Sequence, residues 1–249
     1  MRLPLTIKIW QTLRRAVKAL SPEGRNAIVC FVHSQNRPNG YCGAGGQVEP
    51  YYTQFGLLLE CVLSQRVGLR EMKLLFALLK SGFYVRFLPE SKQDTGVLYD
   101  LFFRFINAEL RLRKPGKEEL MSRIEAYRLK DGGYVHSIGR PEPGTNATCS
   151  ALTMLHQMGA SDEESVRWLQ GLQDETGGFR ATKEAPIPDL LSTAVATFTL
   201  SVLGIKPPIA VTDFVESHWL ANGGFSPTLL DEYSDVEYVF YGLLALGSR

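Results

Sequence analysis

No stretch of this 249-residue chain holds the roughly 18 consecutive apolar residues that a membrane-spanning helix needs, so a spanning helix is not expected. Basic excess is missing too. The 27 Lys and Arg stand against 26 Asp and Glu, leaving a formal charge of +1, which does not suit the phosphate-binding surface of a nucleic-acid partner. The four cysteines, Cys30, Cys42, Cys61 and Cys149, form no C-x-x-C pair, which argues against a disulfide framework or a cysteine-rich zinc site. Such scattered thiols suit a reducing compartment, so a cytoplasmic location is expected. His33, His136, His156 and His218 share no metal spacing and read as surface or hydrogen-bonded residues.

Acids are absent from the first 22 residues, where Arg2, Lys8, Arg14, Arg15 and Lys18 punctuate an apolar pattern. Those interruptions do not suit a secretory signal. Ile9, Trp10, Leu13, Ala16, Val17 and Leu20 share one helical face, which could dock on the domain or lie on a membrane surface through residues 1–20.

What the chain does have is a repeat. "DGGY", "TGGF" and "NGGF" end at Tyr134, Phe179 and Phe225, which stand 45 and 46 residues apart. Upstream, "NGY" ends at Tyr41 and "SGF" at Phe83, making five units over residues of about 22–65, 66–113, 117–159, 161–204 and 209–249. Each turn follows an amphipathic segment and leads through a polar loop into a strongly apolar helix. Glu49, Asp94, Asn146, Asp189 and Asp235 stand at or near the starts of these helices, where an acid or amide caps free N–H groups. Ser161 with Glu164 reads as a capping box, and Pro22 after Ser21 as a helix start. Alternating half-exposed and buried helices predict two concentric layers in one domain, with residues 1–20 closing the ring as a sixth inner helix. In each pair of glycines the expected role is a positive-φ reversal, with the aromatic that follows plugging the layer boundary.

This unit, a glycine-aromatic turn, a loop, an acid and an apolar helix, resembles the repeat shared by protein prenyltransferase β-subunits and triterpene cyclases of the squalene–hopene type. The resemblance implies an all-α fold, an α/α toroid of about five to six helical hairpins around an apolar cavity that holds an isoprenoid. It also implies positions to compare. The prenyltransferases place zinc on an Asp and a Cys two residues apart and on a later His; here those positions are Asp189, Leu191 and Tyr238, so zinc-dependent thiol prenylation is not expected. No cofactor is expected, and magnesium is left open. Of the basic residues that bind diphosphate in that family, Lys183 can stand for one, while Pro186 and Gly144 occupy two others. The cyclases need an Asp-x-Asp-Asp acid cluster. The nearest group here is Asp231, Glu232, Asp235 and Glu237, which reads either as a functional cluster or as a solvated capping loop.

Candidate acids are therefore Asp100, Asp189, Asp235 and Glu237. Thr53, Thr148 and Thr193 recur one turn into three inner helices, where they either line the cavity rim or bond back to the preceding turn. Asp100 and Arg104, one turn apart, are either a buried pair at a functional centre or part of an exposed unit. Tyr51, Tyr52, Tyr99, Tyr238, Tyr241, Phe102, Phe103, Phe198 and Phe240 offer aromatic surface for a ligand or for packing. The expected ligand contacts are Tyr52, Thr53, Tyr99, Arg104, Thr148, Lys183, Thr193, Phe198, Tyr238 and Tyr241. Three functions follow: an isoprenoid-binding toroid, an enzyme of the cyclase or prenyltransferase type with unusual residues, and a scaffold whose face binds a protein partner.

Overall fold

Why three of the repeats carry two glycines is visible in the turns themselves. The first of each pair, Gly132, Gly177 and Gly223, has φ of +91°, +89° and +89°, a conformation that side chains with a Cβ rarely adopt. The second has no positive φ. It is small because a Cβ on Gly133 would run into Pro143 and Trp168, and one on Gly178 into Phe214 and Pro188. The expected reversal is thus made by the first glycine, and the second serves a close approach. The aromatic that follows is buried in every described repeat: Tyr41, Tyr134, Phe179 and Phe225.

The computed structural model describes residues 2–38, 40–64, 96–110 and 116–248. The expected outer helix of the second repeat, its turn at Phe83 and the cap Asp94 lie outside them. The described elements are α1 (Leu5–Ala19), α2 (Pro22–Ser34), β1 (Asn36–Arg37), β2 (Gly40–Tyr41), α3 (Pro50–Leu63), α4 (Leu98–Leu110), α5 (Lys117–Glu125), α6 (Thr145–Gln157), α7 (Glu163–Gln170), α8 (Leu190–Leu203), α9 (Thr212–Ser217) and α10 (Val236–Gly247). The two short strands pair antiparallel. The apolar helices α3, α4, α6, α8 and α10 form the inner layer, with α4 against α6, α6 against α8, α8 against α10 and α10 against α3. The amphipathic α2, α5, α7 and α9 lie outside.

Capping sets where the inner helices begin. The Asp189 carboxylate accepts from the Ser192 N–H at 2.7 Å, and Asp235 accepts from the N–H groups of Glu237 and Tyr238. Ser21 caps α2 as expected. Glu49 makes no side-chain cap bond. At α7 the cap is Asp162 rather than Ser161, and Asp162 also pairs with Arg128 at 3.0 Å. The loops ahead of α6, α8 and α10 bond the first residue of the inner helix one repeat earlier: Leu98 N–H to His136 O, Thr145 N–H to Ala181 O, and Leu190 N–H to Pro227 O. These bonds place the N-termini of the inner helices at one end of the toroid.

The expectation for residues 1–20 needs correction. α1 is an element of the domain, but it crosses the opposite end of the ring instead of joining it. Leu5 N–H donates to Glu109 near the end of α4, Leu3 O accepts from Gln157 at the end of α6, and Arg15 Nε donates to Gly247 O at the end of α10. Gly247 is small because any Cβ there would strike the backbone of α1 at Thr12. The apolar face of α1, with Leu5, Leu13, Ala16 and Val17 buried, therefore packs on protein. Among the described residues no helix is long and apolar enough to cross a membrane.

Candidate functional site: an axial cavity

Within the inner layer, side chains at helical spacing i, i+3, i+4 and i+7 point to the axis. On α3 these are Tyr51, Gln54, Phe55 and Leu58; on α4, Tyr99, Phe102, Phe103 and Ile106; on α6, Asn146, Cys149, Ser150 and Thr153. α8 contributes Leu191, Val195, Phe198 and Thr199, and α10 contributes Phe240, Tyr241 and Leu244. Together with Leu5 and Ile9 of α1 they enclose a cavity of about 430 Å³. At 1.5 Å per residue the seven-residue span from Tyr51 to Leu58 makes it about 10 Å deep. Its mouth lies at the helix N-termini and its floor is α1.

The walls are aromatic. Ring contacts run from Tyr51 to Phe55 (5.2 Å), from Phe55 to Phe240 (5.1 Å) and from Phe240 to Tyr241 (5.3 Å). At the mouth, Tyr51 Oη donates to Glu237 Oε1 at 2.5 Å. Glu237 holds on α10 the register that Tyr51, Tyr99 and Asn146 hold on their helices. Its carboxyl is pushed up from 4.5 to about 7, first by burial and then by the charge of Asp235, against the opposing bond from Tyr51. Its proton is therefore held more tightly than that of a free glutamate. Tyr51, Tyr238 and Tyr241 are all pushed above the usual phenol range, by burial and then by neighbouring charges that include Glu237. Tyr99 is raised to about 12, mainly by burial, while a hydrogen bond from Asn146 opposes. Two acceptors in this lining, Gln54 Oε1 and Asn146 Oδ1, are buried without a hydrogen-bond partner.

The candidates sort as follows. Tyr99, Phe198 and Tyr241 line the cavity, and Glu237 reaches it through Tyr51. The three threonines do not. Thr53, Thr148 and Thr193 accept from the N–H of Tyr41, Tyr134 and Phe179, clasping each turn to its inner helix on the side away from the axis. Thr53 and Thr193 also bond back to Glu49 and Asp189, as the alternative reading held. Lys183 lies outside the cavity, exposed, 3.0 Å from Asp131 and over the Trp168 ring. Tyr52 packs over Gly43, and Tyr238 packs beside Tyr233 and Tyr241; neither lines the cavity. Asp100 and Arg104 are half-buried on α4, and neither lines it.

Asp189 and Asp235 are committed to capping, with carboxyls raised mainly by burial. Asp235 is only 2% exposed and Glu237 only 8%, so that part of the acidic segment is not a solvated loop. Sequence reasoning missed Gln54, Cys149, Ser150 and Thr153 and saw Asn146 only as a cap. The signal that finds them is the shared spacing, once one lining residue of each helix is known.

The positions that correspond to a zinc set carry a capping carboxylate, an aliphatic side chain in the cavity wall and a phenol. That donor set does not fit tetrahedral thiolate, imidazole and carboxylate coordination. Among the described residues no three His, Cys, Asp or Glu side chains gather as metal ligands.

A toroid of repeated helix pairs around an axial cavity is the architecture that sequence comparison also finds: the prenyltransferase alpha-alpha toroid domain matches residues 90–247, more than half of the chain. The chain belongs to this family. The protein geranylgeranyltransferase-I of Candida albicans, solved in complex with GGPP, is similar in fold to this prenyltransferase-type toroid. The TM-score is 0.54 at 14% identity, over 97% of this chain and 82% of that one, a likeness that speaks for the fold alone. No curated protein matches the sequence.

Proposed function

We propose that this toroid binds an isoprenoid or a similar long apolar molecule in its axial cavity. The observation that carries the reading is the cavity itself: open at one end, floored by α1 and walled by aromatic and aliphatic side chains. Its volume falls in the range of about 300–1,000 Å³ typical of small-molecule sites. That the Candida albicans neighbour was solved with GGPP favours the same ligand class. Four cysteines scattered without a C-x-x-C pair fit action in the cytoplasm. The test is native mass spectrometry of the purified chain with and without added isoprenoids, beside a Val195→Phe variant that fills the cavity. A saturable mass shift that the variant loses is expected. No adduct with isoprenoid alcohols, diphosphates or hydrocarbons would refute the reading.

A second reading has one observation in its favour. Glu237, bonded to Tyr51 and holding its proton toward neutral pH, is the side chain that an enzyme of the terpene cyclase type without a standard acid cluster would use as its general acid. Product analysis with squalene and prenyl diphosphates tests it, and substrates recovered unchanged would count against it.

A further inference from the structure

An apolar chain explains the walls of the cavity but not its polar atoms. Gln54 Oε1 and Asn146 Oδ1 are buried in the lining with no partner, at a cost that native structures avoid unless something supplies a donor. The Asn146 side chain bonds the Tyr99 side chain, and its oxygen has no partner. Both atoms lie in the upper half of the cavity, in the first turns of α6 and α3. Beside them stands the Glu237 carboxyl, with Tyr51 already donating to one of its oxygens.

Charge at the mouth has the same sign throughout this cluster. Asp189, Asp235 and Glu237 all act on the Tyr238 phenol, holding its proton more tightly. Several N–H groups of the helix N-termini, which would otherwise attract an anion, are already occupied. His136 O, Ala181 O and Pro227 O take the first N–H groups of α4, α6 and α8, and Asp189 and Asp235 take those that follow in α8 and α10. The polar groups left to meet an entering head are thus the two orphan acceptors and the Tyr51–Glu237 pair. A diphosphate brings more acceptor oxygens and several negative charges to a place whose described lining holds no Lys, Arg or His.

We infer that the mouth selects an isoprenoid whose head is a neutral hydroxyl, an isoprenoid alcohol, over the corresponding diphosphate. The hydroxyl hydrogen satisfies the Gln54 or Asn146 oxygen, and the hydroxyl oxygen accepts from protonated Glu237. An ammonium head fits less well, since the two orphan acceptors are neutral amides and Glu237 is half protonated near pH 7. This selection rests on the toroid being an isoprenoid binder.

The experiment compares farnesol, farnesyl diphosphate, farnesylamine and the hydrocarbon farnesene on the full chain, by competition read in native mass spectra at pH 6.5. Farnesol should bind at least tenfold tighter than the diphosphate or the amine. Gln54→Leu and Asn146→Leu should each weaken farnesol by about two- to tenfold, the worth of one neutral hydrogen bond, while farnesene binding by the same variants holds and shows that their cavities are intact. Diphosphate or amine binding as tightly as farnesol, or farnesol binding unmoved by both substitutions, overturns the selection and leaves the isoprenoid reading standing. Binding of none of the four overturns both.

Discussion

Replacing Glu237 by glutamine should change how stability depends on pH more than stability itself. In the folded chain the carboxyl titrates near 7, against 4.5 for a free glutamate, because burial disfavours its charge. Between those two values the folded state keeps a proton that the unfolded state has released, so stability is fully present below 4.5 and is lost as pH rises through 7. The interval of 2.5 pH units, at 1.36 kcal/mol each, makes the loss about 3 kcal/mol. Glutamine has the shape of the protonated acid and no titration. The difference in unfolding free energy between the natural chain and Glu237→Gln, from urea melts at half-unit steps between pH 4.5 and 8, should therefore swing by about 3 kcal/mol in favour of glutamine. Asp189 and Asp235, also raised, and His218, lowered mainly by burial, titrate in both proteins and largely cancel. Melts that stay parallel across the whole range would refute the burial argument.

Three further outcomes are open to simple measurement. Thr193→Val keeps its shape but leaves the buried Phe179 N–H without an acceptor, and should cost about 1–3 kcal/mol in chemical denaturation. Gly177→Ala should cost more than about 1 kcal/mol, because φ there is +89° and the added carbon would strike the Ala210 carbonyl, a change that shows as a lower Tm. Of the four thiols only Cys30 is exposed, while burial pushes Cys149 up to about 12, so a thiol reagent at pH 8 should label one cysteine quickly and Cys149 only on unfolding.

Layering was legible because burial leaves a record in residue type: α8 and α10 are apolar almost all round, whereas α7 alternates. The turns were legible because positive φ and close approach both demand glycine. What the sequence could not reveal was the direction of side chains within a helix that is buried on every side. With no polar face to set the phase, Thr148 and Asn146 looked equally able to face the axis, and only the Tyr134 N–H shows that Thr148 points away. Glu237 was legible as an acid, but its burial was not, since that depends on Tyr51, far off in the chain. α1 was legible as amphipathic, yet the same stripe of apolar residues fits a ring member, a floor or a membrane-surface helix.

The floor sets a sequence of events. α1 and α10 meet across 232 residues of chain, through the bond from Arg15 Nε to the Gly247 carbonyl. Until α10 has folded, α1 has only the ends of α4 and α6 to hold it, and the floor of the axial space is incomplete. The repeats between α1 and α10 can pair locally, whereas closing the cup is a single long-range event, slow for the reason that all such contacts are slow.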